Sequence, residues 1–576
     1  MKTNFKTKEG KEIFWHSSAH ILAMAVKRLY PDAKLTIGPA VAEGFYYDID
    51  MTPVTETIKE KIQTEINKII KENIDFLKED LSINDALKLF KDNPYKIEMI
   101  KELQKKGEKT VSIYKNNDFV DLCRGPHVKS TGAIVALKLT KISGAYWRGD
   151  SKNKMLQRIY GISFPSPKEL KQYFFQLEEA KKRDHRKIGK EMDLFSFHDE
   201  GAGFPFFHNN GMIIKNELVK FWREEHRKMH YEEIQTPIIL NKKLWLQSGH
   251  WDHYKENMYF TKIDDVDYAI KPMNCPGGML VYNEKVHSYK ELPLRVGEFG
   301  LVHRHELSGV LAGLFRVRVF TQDDAHIFMM PEQIKDEIIG VIELVDKIYK
   351  KFGFEYEIEL STRPENSMGS DEAWEVATKG LEDALKAKKI KYQINEGDGA
   401  FYGPKIDFHV KDCIGRTWQC GTIQLDFTMP EKFNLEYVDK DNTKHRPVML
   451  HRVVYGSLER FIGILVEHYA GKFPLWLAPL QVKIINVGGN SAEYAQKLYN
   501  DFFDKGLRVE MDIRDESVGY KIRDAQKQKI PYIIVVGEDE MKANTLTSRT
   551  RDNKIIKNIK VEEFKDKLLD EIKRRV

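Results

Sequence analysis

Cys275, His326 and His451 are three zinc-type ligands spread through the middle of a 576-residue chain. Cys275 lies in KPMNCPGG, His326 in FTQDDAHIF and His451 just ahead of GSLERFIG, with Arg304, Arg316 and Arg318 between the first two. Structural zinc sites usually hold their ligands in close sequence pairs, whereas a catalytic zinc with an open position is usually assembled from distant ones. An isolated Cys or His is more often core packing, so the surrounding segments decide. Here each ligand sits among residues suited to nucleotide phosphate.

A second group lies near the amino terminus. His16 and His20 stand four apart in HSSAHILAMAVKRLY, so a helix presents both on one face. Cys123 and His127 lie in DLCRGPHV, where Gly and Pro favour a loop. On ligand types alone this is a zinc set. Histidines titrating near neutrality could equally orient or activate water.

These residues need several domains to position them, since 576 residues exceed one compact core. A helix is expected over His16–Tyr30, strands in TIGPAVAEGFYYDID, and an amphipathic Lys/Glu-rich stretch over 56–105. Pro165 and Pro167 then punctuate the chain before a helix running to about Lys190. Its end, KKRDHRKIGK, carries six Lys/Arg against one Asp, a solvated face or a contact to phosphate backbone. A strand-rich region follows, and Pro474 and Pro479 mark its end. The tail alternates strand and helix, a small α/β domain. The expected domains are therefore 1–163, 164–190, 191–475 and 476–576.

The net charge of +5 permits an RNA partner without requiring one. Four cysteines without a C-x-x-C pair fit a reducing compartment. No segment reaches the roughly 18 apolar residues of a membrane span, and the polar start MKTNFKTKEGKEIFWH is no secretory signal. A cytoplasmic protein without a membrane partner is expected.

HRHELSG…FRVRVFTQDDAHIF resembles motif 2 of class II aminoacyl-tRNA synthetases. GSLERFIGILVEH resembles motif 3, and MHYEEIQTPII, with Pro237, resembles motif 1, the dimer-forming element. KPMNCPGG, GAFYGPKIDF, WQCGTIQLDF and the three ligands narrow the resemblance to threonyl-tRNA synthetases, over essentially His16–Arg551. It implies a multidomain α+β and α/β chain: an antiparallel-sheet catalytic core, an N-terminal α+β editing domain and a C-terminal α/β anticodon-binding domain.

The resemblance also implies an activity, ATP-dependent ligation of L-threonine to tRNA(Thr) by a homodimer with one Zn²⁺ per subunit and Mg²⁺ accompanying ATP. Arg304 would meet the α-phosphate, Arg316 the γ-phosphate and Arg460 the far side of the triphosphate, near the adenine. Phe320 would stack on the adenine and Glu306 would contact it. Gln322, Asp324, Tyr402, Lys405, Gln419 and Gln424 match pocket positions, and His250 a histidine implicated in transfer to tRNA. Zinc explains rejection of valine, because a site built for a hydroxyl rejects its analogue by roughly 10⁴–10⁵-fold. Serine differs by one methyl group, worth only about 1–3 kcal/mol, so a hydrolytic site for Ser-tRNA(Thr) is expected. By resemblance it comprises His16, His20, Lys96, Tyr114, Asp121, Cys123 and His127. His20 and Lys96 are the residues expected to act on water, and the family's hydrolysis is taken to proceed without metal.

Arg523, Glu540 and Arg549 correspond to anticodon contacts. The chain departs from the family at Gly278, often His, at Val453, usually smaller, and at Asp515, Asn in some relatives. Fifteen residues precede His16, so the ubiquitin-like domain that often stands there is expected to be missing. A zinc hydrolase would need neither the arginines nor the tail. A non-enzymatic RNA-binding relative should have lost a zinc ligand or Arg304, and both are kept.

Overall fold

A computed structural model of the protein describes residues 4–412 and 414–576, so Cys413 lies outside the described residues. The chain forms two compact units, Met1–Glu178 and Glu179–Val576.

In the first unit the helix Lys8–Leu29 starts earlier than His16, because the Thr7 hydroxyl accepts the Gly10 N–H and caps it. Every residue from Ser17 to Val26 is buried. A helix that is small or apolar all round belongs inside a core, and this one packs with Phe45, Tyr47 and Ile49 and with Ile62, Ile66 and Ile69. The first three lie on the strand Gly44–Asp50 of a five-stranded antiparallel sheet. The other three are the only buried residues of the helix Glu56–Glu72, a narrow apolar stripe.

The stretch 56–105 is not one amphipathic element. Asn73 adopts the left-handed conformation (φ 52°) and ends the helix Glu56–Glu72. The strand Leu77–Ser82 follows, and Ser82 and Asn93 then cap the helices Ile83–Leu89 and Pro94–Lys105. The expected helix 167–190 is likewise broken, because the Asp184 carboxylate accepts the Arg186 N–H and starts a new helix, His185–Glu191.

The second unit is organised by an eight-stranded sheet. Its order is Glu232–Glu233, Leu294–His303, Val319–Met329, Val448–Ser457, Thr417–Asp426, Lys405–Lys411, Tyr356–Ser361 and Gln393–Asn395. The two short edge strands pair in parallel and all others antiparallel. Strand register creates a lateral row, Val296–His326–His451–Gln424–Lys405. Residues two apart share a face, so Asp324 and Gln322 stand beside His326 on one strand, and Thr422 beside Gln424 on another.

A bulge interrupts the ladder where Val454, Tyr455 and Gly456 face the Gln322–Asp324 stretch. The Asp323 carboxylate accepts the N–H groups of Val454 and Tyr455 at 3.0 Å and that of Gly456 at 2.8 Å. It also accepts the indole N–H of Trp222, at 3.0 Å, from the helix Asn209–Lys228. Gly456 is obligatory, since its φ is +78° and a Cβ would lie 2.4 Å from the Cys420 carbonyl oxygen. After the bulge Ser457 caps the helix Leu458–His468 by accepting the Arg460 N–H.

The tail has its own core, including Val482, Ile484, Leu498, Phe502, Ile534, Leu546, Phe564 and Leu568. Three parallel strands, Val509–Asp512, Val482–Asn486 and Tyr532–Val536, are extended by antiparallel Thr545–Thr550 and Ile555–Lys560. The last strand and the short helix Glu538–Ala543 are additions to the expected pattern. No helix among the described residues is long and apolar enough to cross a membrane.

Asp323→Asn should keep three of the four bonds and set an amide NH₂ against a buried N–H, lowering stability by about 1–3 kcal/mol. Asp323→Ala orphans all four donors and should cost more. The midpoint of urea unfolding, taken with activity as a second probe, checks the order wild type, Asn, Ala.

Candidate active site

Cys275, His326 and His451 come together from a helix and two strands. Their ligand atoms lie within 4.8 Å of one another and all three residues are buried. Cys275 opens the helix Cys275–Tyr282, while His326 and His451 are direct cross-strand neighbours. Burial, reinforced by the carboxylates of Asp324 and Asp426, pushes the Cys275 thiol well up. Burial, then His451 and Arg452, holds the His326 imidazole well below its usual range, which is the neutral form a metal requires.

Two hydrogen-bonding facts test the fit to a metal. His326 Nε2 is buried without a hydrogen-bond partner, with Asp324 Oδ1 3.9 Å away. His451 Nε2 lies 2.9 Å from Asp426 Oδ2, and Asp426 itself accepts the N–H groups of Thr428 and Met429. A ring held through one nitrogen by a fixed carboxylate leaves the other for ligation. The donor set fits zinc, and Asp426, which sequence reading passed over, is the residue that orients it. Its signal lay in WQCGTIQLDF, on the strand beside His451.

The ligands Cys275 and His451 line a cavity of about 370 Å³ with Arg304, Gln322, Asp324, Tyr402, Lys405, Gln419 and Gln424. Tyr402 donates to Gln424 Oε1 at 2.8 Å, leaving the amide NH₂ to face a ligand. Asp324 accepts from Asn274 at 3.1 Å, and burial raises its carboxyl against the pull of His451. Lys405 pairs with Asp407 at 2.9 Å and Asp398 at 3.2 Å, while Gln419 donates to Asp407. Gly278 leaves His326 uncrowded; a Cβ there would sit 3.4 Å from its Nδ1. Val453 lines both this cavity and its neighbour.

The neighbouring cavity, about 160 Å³, is lined by Arg304, Glu306, Arg316, Phe320, Gln322, Gln419 and Arg460 among others. The Arg304 guanidinium stands 5.1 Å over the Phe320 ring. Arg316 pairs with Glu306 at 3.0 Å. Arg460 donates to the carbonyls of Phe315 and Gln419, each at 2.9 Å. Burial lowers its guanidinium from the ordinary value, yet arginine stays charged. Arg318 is a brace instead, donating to Glu306 O, Ala202 O and Ser308.

His250 is fully buried and is not among the residues lining either cavity; Met273, whose sulfur lies 3.1 Å from His250 Nε2, lines the larger one. Ser248 Oγ lies 2.8 Å from His250 Nδ1 and 3.3 Å from Trp245 O. A thioether sulfur only accepts, so the Nε2 that meets Met273 carries the hydrogen, and burial depresses this imidazole to about 3.

In the first unit His16, His20, Cys123 and His127 place four ligand atoms within 4.8 Å of one another. Cys123 Sγ is 3.3 Å from both His16 Nε2 and His127 Nε2. Ser17 donates to Ile13 O, so His127 Nδ1, 3.1 Å away, donates to Ser17. Burial lowers His16, His20 and His127 and pushes Cys123 up to about 11, leaving rings and thiol uncharged at neutral pH. Lys96 pairs with Asp121 at 2.6 Å, both 2% exposed. Tyr47, missed in the sequence, donates to the same carboxylate at 2.6 Å. The Tyr114 ring packs edge-on to His127 at 4.4 Å.

In the tail, Arg523 is exposed on the helix Val518–Lys527 and Arg549 lies 3.4 Å from Asn553. Glu540 is occupied locally, accepting the Gly537 N–H and the Thr547 hydroxyl, and so caps its own helix.

Residues 259–469 match the model of the tRNA synthetase class II core domain (G, H, P, S and T), and residues 481–571 match the anticodon binding domain. Residues 111–160 match the threonyl and alanyl tRNA synthetase second additional domain. The threonine–tRNA ligases of Carboxydothermus hydrogenoformans and Clostridium tetani are each 61% identical, covering 99% of this chain and 90% of their own length. The crystal structure of the RNA binding domain of threonyl-tRNA synthetase from Cryptosporidium parvum superposes with a TM-score of 0.65 at 38% identity, over 67% of this chain and 98% of that one. With relatives this similar along nearly its whole length, the chain belongs to the threonine–tRNA ligase family of class II aminoacyl-tRNA synthetases.

Proposed function

We infer that this chain activates L-threonine with ATP, transfers it to the 3′ end of tRNA(Thr), and hydrolyses Ser-tRNA(Thr) at its N-terminal cluster. The observation that carries the reading is the junction of two cavities that share Arg304, Gln322 and Gln419. One has the Cys275/His326/His451 ligand set at its wall; the other is lined by Arg316, Arg460 and Phe320.

Activation places the threonine carboxylate against the α-phosphorus of ATP, and charge grows on the phosphate oxygens. Arg304 stands between the cavities and would meet that charge with a fixed, always ionised fork. Arg316 would hold the γ-phosphate and Arg460 the far side of the triphosphate near the adenine, with Mg²⁺ accompanying ATP. Glu306 would exchange its ion pair with Arg316 for the nucleotide, and Phe320 would stack on the base. When bound at Cys275, His326 and His451, zinc would offer an open position for threonine's amino and hydroxyl groups. Asp324 is placed to accept from the hydroxyl or amine, and Gln424, fixed by Tyr402, to donate. Lys405 and Gln419, both tied to Asp407, would complete the wall. His250, whose Nε2 meets the Met273 sulfur at the cavity wall, would serve the transfer step once Met273 moves aside.

In the first unit the neutral imidazoles of His16 and His20 and the Lys96–Asp121 pair, steadied by Tyr47, would position and polarise the hydrolytic water. We assign this work to residues 1–163 and anticodon recognition to 476–576. The cytoplasm is the compartment proposed. Homodimerisation is proposed through the motif 1 region, where Ile238, Ile239, Phe260 and Val266 are 40–50% exposed.

ATP–pyrophosphate exchange on zinc-loaded protein should be strong with threonine, weaker with serine and near background with valine. No exchange with threonine would overturn the ligase reading. Asp426→Asn should weaken zinc retention about 10–100-fold against a competing chelator, measured by metal release rather than by activity. Alanine at His20 or Cys123 should abolish deacylation of Ser-tRNA(Thr) while threonine exchange stays within about twofold, since the two sites are built from separate units.

A further inference from the structure

We infer that His185 is a positioning residue of the nucleotide site, holding the 313–316 loop against the helix Leu458–His468; this rests on the ligase reading above. His185 is 3% exposed and opens the helix His185–Glu191. Its ring bridges two other elements. Nδ1 lies 2.9 Å from Glu467 Oε1, and Nε2 lies 3.0 Å from the backbone nitrogen of Leu314. An amide N–H can only donate, so Nε2 accepts and Nδ1 carries the hydrogen given to Glu467. The His185 N–H donates to the same oxygen at 3.2 Å, and Arg416 pairs with the other carboxylate oxygen. Asp184, His185 and Glu467 are close enough together to suggest a metal site. Both ring nitrogens are already engaged, so the group is a filled hydrogen-bond network.

What the ring holds is the phosphate-binding loop. Gly313, at φ +54°, comes so near that a Cβ would lie 2.3 Å from Nε2. The Phe315 ring is 4.3 Å from the imidazole and 4.1 Å from Trp418. The Phe315 carbonyl is the group that receives Arg460 Nε, and Arg316 is the next residue. One imidazole thus fixes, from behind, the backbone that aims both Arg316 and Arg460. Asp324, Tyr402 and Gln424 make no bond to it, so the threonine pocket should be indifferent to its loss.

The test is threonine-dependent ATP–pyrophosphate exchange on the full chain, comparing wild type with His185→Ala, His185→Gln and His185→Asn. His185→Ala should raise the KM for ATP roughly tenfold, the worth of one buried hydrogen bond, with the KM for threonine within twofold. The Gln oxygen reaches the Nε2 position and should restore most of the affinity; Asn is too short and should not. An unchanged KM for ATP in His185→Ala, equal rises in both KM values, or Gln no better than Asn would overturn the assignment. If His185→Ala does not fold, the Gln and Asn pair decides alone. Wild type without exchange would instead remove the ligase reading beneath it.

Discussion

Asp323 carries no chemistry of the reaction, yet its carboxylate holds the bulge between the strands that bear His326 and His451. The bulge at Val454–Gly456 turns three backbone N–H groups out of the ladder into a dry interior. Unpaired, each would cost about 1–3 kcal/mol. One buried carboxylate satisfies all three and also ties in Trp222. Burial pushes Asp323 up to about 6 despite the opposing pull of Arg452 and those N–H groups. The cost of burying the acid is thus only partly offset, and the geometry it enforces is what the site needs. It fixes the register that puts His326 opposite His451, and the turn that launches Arg460.

From that register the rest of the site follows with little freedom. Along the sheet His326, His451, Gln424 and Lys405 are adjacent in one row, so two imidazoles, an amide and an ammonium share a face. The arginines reach the same place from outside the sheet, by loops and a helix start. Their positions depend on backbone carbonyls and buried polar braces: Pro272 for Arg304, Phe315 and Gln419 for Arg460. A guanidinium oriented before substrate arrives needs no reorganisation when charge develops.

Much of this was legible in the chain because the reactive residues are embedded in short, distinctive segments and because i, i+4 spacing fixes a helix face. His16, His20, Cys123 and His127 fall together, and so do Cys275, His326 and His451. What was hidden belongs to residues whose role is purely tertiary. Asp426, Tyr47, His185 and Asp323 are ordinary residues in sequence, and their partners lie 25, 74, 282 and 131 positions away. Local breaks were also missed: Asn73 ends a helix inside the amphipathic stretch 56–105 and Asp184 interrupts the helix expected to run to Lys190, since a single cap outweighs weak propensity. Glu540, expected at the anticodon, has one oxygen capping its own helix through the Gly537 N–H and the other accepting from Thr547 on the next strand.

The two His/Cys clusters show why ligand type alone does not decide a metal. In the first unit the cluster largely satisfies itself: Cys123 sits against His16 and His127, and the far nitrogen of His127 donates to Ser17. One buried nitrogen there, His20 Nδ1, has no partner. In the core, Asp426 occupies only the outer nitrogen of His451, His326 Nε2 is left without a partner, and the thiol is raised by two nearby carboxylates. A cation is the one addition that would relieve all of these at once, lowering the thiol and filling the empty lone pair. The demands of the two reactions match this difference. Selecting a hydroxyl against a methyl calls for a centre the hydroxyl can bind, whereas removing serine from tRNA calls only for a held water and neutral groups able to share its proton.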